Sequence, residues 1–219
     1  MSAAAAITGA VIGIAAAALT RVTRASLAEP LVPRLVNVGV LAALGVLFGA
    51  LAGWRLPIWP EALAYGVAAL VSALLVATDL SAHEIPHRIM WPGMLGLVVG
   101  LALAAGLEGA WARLGVALLT GLALAVVYFV IAWFGKGQFG LGDVSLQLFL
   151  GTFLGWLGIP YALVGAVGAF LVHVPVTLGA LVARRAGRKA ELPFGPSLIA
   201  ASWLAAFLTP AVFRLLLRG

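Results

Sequence analysis

Long apolar runs, broken by short polar, proline-bearing or basic joints, dominate this chain. A helix that crosses a bilayer needs about 20 mostly apolar residues. Eight stretches approach that length: roughly 2–19, 35–53, 61–79, 91–107, 111–134, 141–158, 160–183 and 194–216. They predict an all-α, polytopic transmembrane helical bundle of about eight spanning helices, forming a single transmembrane domain over residues 1–219. The first, fourth and sixth runs are short for a full crossing, so a tilted or re-entrant segment is expected among them. Pro57, Pro60, Pro92, Pro160, Pro193 and Pro196 fall near the proposed ends, where a missing N–H costs least. The first run has no basic segment before it and reads as a retained span, not as a cleaved signal. No internal repeat is visible.

Composition supports this pattern. The chain is 64% hydrophobic and 9% charged, far from the balance of a soluble domain. It has no cysteine, which removes disulfides and thiolate metal sites. Its 27 glycines suit close helix–helix approach in lipid. The net charge of +6 does not call for nucleic acid, because Lys and Arg gather in the cytoplasmic loops of membrane proteins. With the N-terminus outside, nine basic residues fall on the cytoplasmic side (Arg21, Arg24, Arg34, Arg88, Lys136, Arg184, Arg185, Arg188 and Lys189). Four fall outside (Arg55, Arg113, Arg214 and Arg218). The densest cluster, Arg184 to Lys189, reads as a topology signal in contact with anionic lipid headgroups.

The acids carry the chemistry. Only two aspartates occur, Asp79 and Asp143. Each sits at the edge of an apolar run, on the third and the sixth predicted span, and in the orientation above both face the cytoplasm. An acid at membrane depth is costly and marks function by default. Two carboxylates that converge share a proton and activate water, one as base and one as hydrogen-bond donor to the attacked carbonyl. Gly140 and Gly142, in Gly140-Leu141-Gly142-Asp143, allow close backbone approach and loosen the helix start. A helical substrate needs both, because its scissile carbonyl is hidden until it is held extended.

These segments resemble the type IV prepilin peptidase family, within the wider group of GxGD intramembrane aspartyl proteases. The resemblance rests on three ordered motifs across about residues 60–205. The first is an aspartate seven residues before the proline of an Ile-Pro pair, Asp79 to Pro86. The second is Gly140-Leu141-Gly142-Asp143, followed by Gly151-Thr152-Phe153-Leu154-Gly155-Trp156. The third is Leu192-Pro193-Phe194-Gly195-Pro196 before the last run. The resemblance implies a prepilin leader peptidase of the bacterial cytoplasmic membrane. Such an enzyme cleaves pilin-like precursors after a glycine at the cytoplasmic face, with Asp79 and Asp143 as catalytic pair and no cofactor required for proteolysis. Many members also methylate the new N-terminus with S-adenosylmethionine. The chain departs from the family at Ser145, where a lysine is common, at Ser81, where a second acid is common, and at His87, where Asp or Asn is common. Having no cysteine, it is similar to a short form without the zinc-binding insert.

Other features admit two readings each. Pro193, Phe194, Gly195 and Pro196 either form a helix-entry turn or present free carbonyls to an extended substrate. Gln147, one turn after Asp143, either orients that carboxyl group or bridges helices. Gly151 and Gly155 continue its stripe and read as packing. His173, two residues before Pro175, either bonds a carbonyl freed at the proline kink or relays protons. Glu29, Glu84 and Glu191 are candidates to attract a basic leader, with Glu191 foremost. His83-Glu84-Ile85-Pro86-His87 matches the zinc-protease HExxH pattern, but Pro86 breaks the regular helix that this chemistry requires, so no metal is assigned. Gly135 to Gly140 matches a dinucleotide-binding pattern without the strand it needs. A proton- or cation-coupled transporter would place paired acids near the midplane of repeated halves, unlike this chain. A non-catalytic scaffold would tolerate loss of both aspartates.

Overall fold

The computed structural model describes residues 3–26, 37–55, 61–82, 85–134, 140–182 and 193–216. The described residues form eight helices and no strand. They are α1 (Ala3–Ser26), α2 (Val38–Arg55), α3 (Ala62–Ala82), α4 (His87–Glu108), α5 (Trp111–Phe134), α6 (Leu141–Leu157), α7 (Ile159–Val182) and α8 (Gly195–Leu216). Each apolar run read from the sequence corresponds to one helix. Four stretches, Ala62–Leu80, His87–Glu108, Trp111–Phe134 and Ile159–Gly179, are long and apolar enough to cross a bilayer. Ala10–Arg21, Val38–Gly53, Leu141–Leu157 and Gly195–Thr209 are shorter. The chain is an integral membrane protein.

The fourth run is longer than its apolar stretch. α4 has 22 residues and begins at His87, with extended Pro86 (φ −68°, ψ 123°) as its N-cap. The Pro86 carbonyl accepts N–H bonds from Ile89 and Met90 at 2.9 and 3.0 Å. The first turn is polar, so hydropathy assigns it to a loop while the backbone winds it into the helix. Pro92 therefore lies inside α4, not at its end. α4 closes on Gly109, whose φ of 68° is left-handed, a conformation that favours glycine at this position.

The helices cluster into two compact units, Met1–Val116 and Ala117–Gly219. In the first, α3 is enclosed, with every residue from Val71 to Asp79 buried. α4 exposes large aliphatics and buries a mixture of small and large residues. Leu95, Val99, Leu103 and Leu107 are exposed, while Gly93, Gly100, Ala104 and Ala105 face inward beside Ile89, Met90, Leu97 and Leu101. Lipid tails accept large aliphatics outside, and small residues inside let backbones approach. A Cβ at Gly100 would stand 2.7 Å from the Ala64 nitrogen, so α3 and α4 are in backbone contact there. The N-terminal end of α3 is held by Arg113, which pairs with Glu61 at 2.9 Å and with Glu108 at 3.7 Å. From Glu61 to Asp79 the helix rises about 27 Å, close to the ~30 Å of a hydrocarbon core. The ion pairs and Asp79 thus mark opposite ends of one span.

In the second unit, α5 and α6 cross on glycine. A Cβ at Gly151 would stand 2.9 Å from the Gly121 Cα. One at Gly121 would collide with Thr152 Oγ1 and lie 2.7 Å from the Leu148 carbonyl oxygen. One turn on, Gly155 would meet Ala117 backbone at 3.0 Å. Phe153 packs on Trp203 with ring centroids 5.2 Å apart, tying α6 to α8. The Tyr128 hydroxyl donates to the Ala166 carbonyl at 3.1 Å, tying α5 to α7.

Overpacking a tight contact costs about 1–3 kcal/mol, so Gly151→Ala is expected to lower the unfolding midpoint in detergent. Gly179→Ala, with nothing within 4 Å of the new Cβ, is expected to be neutral or to gain up to about 1 kcal/mol from helix propensity. Equal midpoints for the two variants would show that the α5–α6 crossing is looser than described.

Candidate active site

Asp79 lies in the last turn of α3 and is only 6% exposed. The preceding residue, Thr78, turns its hydroxyl back to the Leu75 carbonyl at 3.0 Å, which helps to keep the buried turn closed. The next residue, Leu80, is exposed. The carboxyl group thus stands at the boundary where an enclosed helix emerges.

Asp143 occupies the first turn of α6. Gly140 is the N-cap, in extended conformation (φ −83°, ψ 157°). The Gly140 carbonyl accepts the Asp143 N–H at 3.1 Å, and Asp143 Oδ2 accepts the Gly140 N–H at 3.2 Å. Glycine has no side chain to cap with, so this is the acidic half of a capping box alone. The N-terminal end of a helix carries partial positive charge, which suits a carboxylate there. Ser145 donates its hydroxyl to the Gly142 carbonyl at 2.8 Å. A Cβ on Gly140 would meet nothing nearer than 3.7 Å. Among the described residues, no clash therefore demands glycine at that position.

Gln147 lies below Asp143 on α6, 1% exposed. Its Oε1 accepts no hydrogen bond among the described residues, and none joins it to Asp143. Neither reading made from the sequence, orienting the acid or bridging helices, has its hydrogen bond here.

Pro193 and Phe194 precede α8, and Gly195 and Pro196 open it. The Phe194 carbonyl accepts the first helical bond, from Leu198 at 3.1 Å. Phe194 is buried, with its ring 5.4 Å from Phe170, 6.4 Å from Tyr128 and 5.0 Å from the His173 ring. The segment leads into α8 with Phe194 turned inward. Tyr128 also lies within electrostatic range of Asp143. Tyr128 and Phe170 were not singled out in the sequence. The available signal was a hydroxyl-bearing ring inside an apolar span, which needs a hydrogen-bond partner when buried.

His173 is half-buried. It shares a hydrogen bond of 3.1 Å between Nδ1 and Ser197 Oγ, not with a carbonyl freed by Pro175 as the sequence suggests. A hydroxyl on the neighbouring helix supplies the partner instead. Glu29, His83, Glu84, Glu191 and the loop 135–139 lie outside the described residues. The HExxH match is interrupted by non-helical Ile85 and Pro86, and His87 opens a separate helix. It therefore lacks the single regular helix of a zinc protease. Among the described residues no group of three His, Asp or Glu side chains could hold a metal.

The sequence profile of the Type IV leader peptidase family matches residues 66–177, a segment that contains both aspartates. A prepilin leader peptidase/N-methyltransferase of Aeromonas hydrophila is 31% identical over 148 residues, covering 63% of this chain and 48% of the relative. One of Burkholderia pseudomallei (strain 1026b) is 32% identical over 184 residues, covering 78% and 55%. One of Pseudomonas putida is 30% identical over 146 residues, covering 60% and 46%. No solved structure matches. The chain belongs to the Type IV leader peptidase family, and it spans about half the length of the curated relatives it matches.

A buried polar atom without a partner costs about 1–3 kcal/mol. Gln147→Leu, close in size, is therefore expected to raise the thermal midpoint in detergent. A lowered midpoint would reveal a partner for the carboxamide beyond the described residues.

Proposed function

We propose that this chain is an intramembrane aspartyl endopeptidase that removes the leader of type IV prepilin-like precursors, with Asp79 and Asp143 as its catalytic residues. The observation that carries this reading is that the family-matched segment holds both of the chain's aspartates. Each stands where an apolar helix meets a break in the chain. The relatives' names supply the substrate class.

In this mechanism α3 and α6 bring the two carboxyl groups together at the cytoplasmic face of the inner membrane, with the N-terminus outside. Two carboxylates about 3 Å apart cannot both ionise comfortably, so they hold one proton between them. The ionised member takes a proton from water as the water oxygen attacks the scissile carbonyl. The protonated member donates to the carbonyl oxygen and stabilises the tetrahedral intermediate. Collapse of that intermediate breaks the C–N bond, and the leaving amine takes up the proton. The pair's two apparent pKa values belong to both residues jointly. Gly140 and Gly142 leave room for the extended substrate backbone, which accounts for a glycine at 140 that no described neighbour requires. Pro193 and Pro196, lacking N–H groups, leave carbonyls for that backbone to pair with. Glu191 is the candidate partner for a basic leader. Membrane lipids surround the apolar faces, and no role for nucleic acid is assigned.

Methyl transfer forms no part of this reading. The relatives are named as N-methyltransferases, and S-adenosylmethionine would supply the methyl group. The described residues include four acids, of which Glu61 and Glu108 pair with Arg113 and two form the proposed catalytic pair.

Asp79→Asn and Asp143→Asn are each expected to lower cleavage of a pilin-like precursor about 10³-fold or more in proteoliposomes, with membrane insertion unchanged. Robust cleavage by either variant would end the mechanism. Because the chain has no cysteine, cysteines introduced at positions 79 and 143 report on convergence directly. A short bifunctional thiol reagent is expected to cross-link that pair, and resistance to cross-linking would contradict the shared site. Gly140→Ala is expected to keep its thermal midpoint within about 1 kcal/mol and to lose cleavage through a raised KM. Full activity would free position 140 from any role with substrate.

A further inference from the structure

We infer that His173 and Ser197 form a positioning pair that fixes the Pro193-to-Pro196 turn in the shape that receives the substrate backbone; this rests on the peptidase reading above. The bond joins α7 to the first turn of α8, His173 Nδ1 to Ser197 Oγ at 3.1 Å. It lies one residue after Pro196 and three after Phe194. The His173 ring also stands edge-on to Phe194, 5.0 Å between centroids and 65° between planes. One side chain therefore holds the turn twice, by its ring at Phe194 and by its nitrogen at Ser197. Ser197 is 5% exposed, so its hydroxyl has little water to substitute for the imidazole, which specifies the pair from the serine side.

The turn needs such support. Pro193 and Pro196 donate no backbone hydrogen bond, so carbonyls around them have fewer partners within the chain. A segment of this kind has few bonds of its own to hold its shape, and it depends on side chains from elsewhere. Tyr128 and Phe170 complete the box around Phe194, and the Tyr128 hydroxyl is committed to Ala166. Aromatic packing fixes where Phe194 sits but not the rotation of the helix that follows. The bond to Ser197 constrains that rotation at the first turn, beside the Phe153–Trp203 contact further along α8. A pre-shaped turn binds an extended peptide without having to be ordered first, so its benefit falls on binding and not on the chemical step.

The test separates ring, bond and reaction. His173→Phe keeps the aromatic box and removes the bond. Ser197→Ala removes the bond from the other side. His173→Asn places an amide where Nδ1 stands. With a pilin-like precursor in proteoliposomes, His173→Phe and Ser197→Ala are each expected to raise KM about tenfold with kcat within about threefold. The double variant is expected to be no worse than either single one, because both remove the same bond. His173→Asn is expected to stay within about threefold of wild-type KM. A second measurement needs no activity. The chain has three histidines, so ¹⁵N-imidazole spectra are simple, and Ser197→Ala is expected to shift only the Nδ1 signal that His173→Asn deletes. Unchanged KM in Ser197→Ala and His173→Phe, or a Nδ1 signal indifferent to Ser197→Ala, overturns the positioning role while wild-type cleavage leaves the peptidase reading intact. Failure of the wild-type protein to cleave any pilin-like precursor overturns both, and the spectra then show separately whether the bond exists.

Discussion

Within a bilayer every backbone N–H and C=O must find its partner inside the chain, so regular helices are required and irregular structure is confined to their ends. The proposed chemistry of this protein is built on that constraint. Hydrolysis needs water, an extended backbone and ionisable groups, all of which a spanning helix excludes. The residues that can supply them sit at helix ends: Asp79 in the last turn of α3, Asp143 in the first turn of α6, and the Pro193–Pro196 turn at the start of α8. The two acids occupy opposite kinds of helix end. Asp143 meets converging N–H groups and the positive end of a dipole, while Asp79 stands near a C-terminal end with its free carbonyls. Two residues of one type are thereby placed in unlike surroundings, a recurring arrangement in acid–base pairs.

The closest crossings of these helices are set by small residues, with large side chains packed beside them. In water a core is filled by bulky side chains that escape solvent, but lipid is as apolar as leucine and gives no such drive. What remains is close contact, and glycine permits it. The Gly121–Gly151 crossing sets how α6 lies on α5, and α6 carries Asp143 two turns earlier on its own axis. Tyr128, further along α5, then lies within range of Asp143 and 6.4 Å from Phe194. The acid, the phenol and the turn belong to one packed unit, and packing rigidity there becomes precision at the carboxylate.

Much of this was legible in the sequence, for physical reasons. Eight apolar runs became eight helices because a run of that length admits little else. Helix ends were read less well where polar residues continue the helix. His87 and Arg88 belong to α4, although their hydropathy resembles a loop. The aspartates stood out because acids are rare in apolar sequence. The partners of Phe194 and His173 did not. Tyr128, Phe170 and Ser197 are separated from those residues by 20 or more positions along the chain, or lie on another helix, and no periodicity links them. Proline suggested a carbonyl for His173, since a missing N–H frees one locally. Tertiary packing instead brought a hydroxyl, and a side chain on a neighbouring helix outweighs a local guess wherever helices touch this closely.

The serine at position 145 shows how such substitutions are accommodated. Where the family resemblance leads to expect a lysine, a cation would stand within one turn of the acid and bias its charge. Here the Ser145 hydroxyl closes onto the Gly142 carbonyl at 2.8 Å, a contact that satisfies the helix start and carries no charge. The first turn of α6 therefore offers Asp143 backbone dipoles and the Gly140 N–H. Those are fixed partial charges, close and directional, whereas a lysine is a full charge on a flexible stem. The electrostatic setting of Asp143 thus depends on the exact winding of one helical turn, and that winding depends in turn on the glycine contacts that hold α6 against α5.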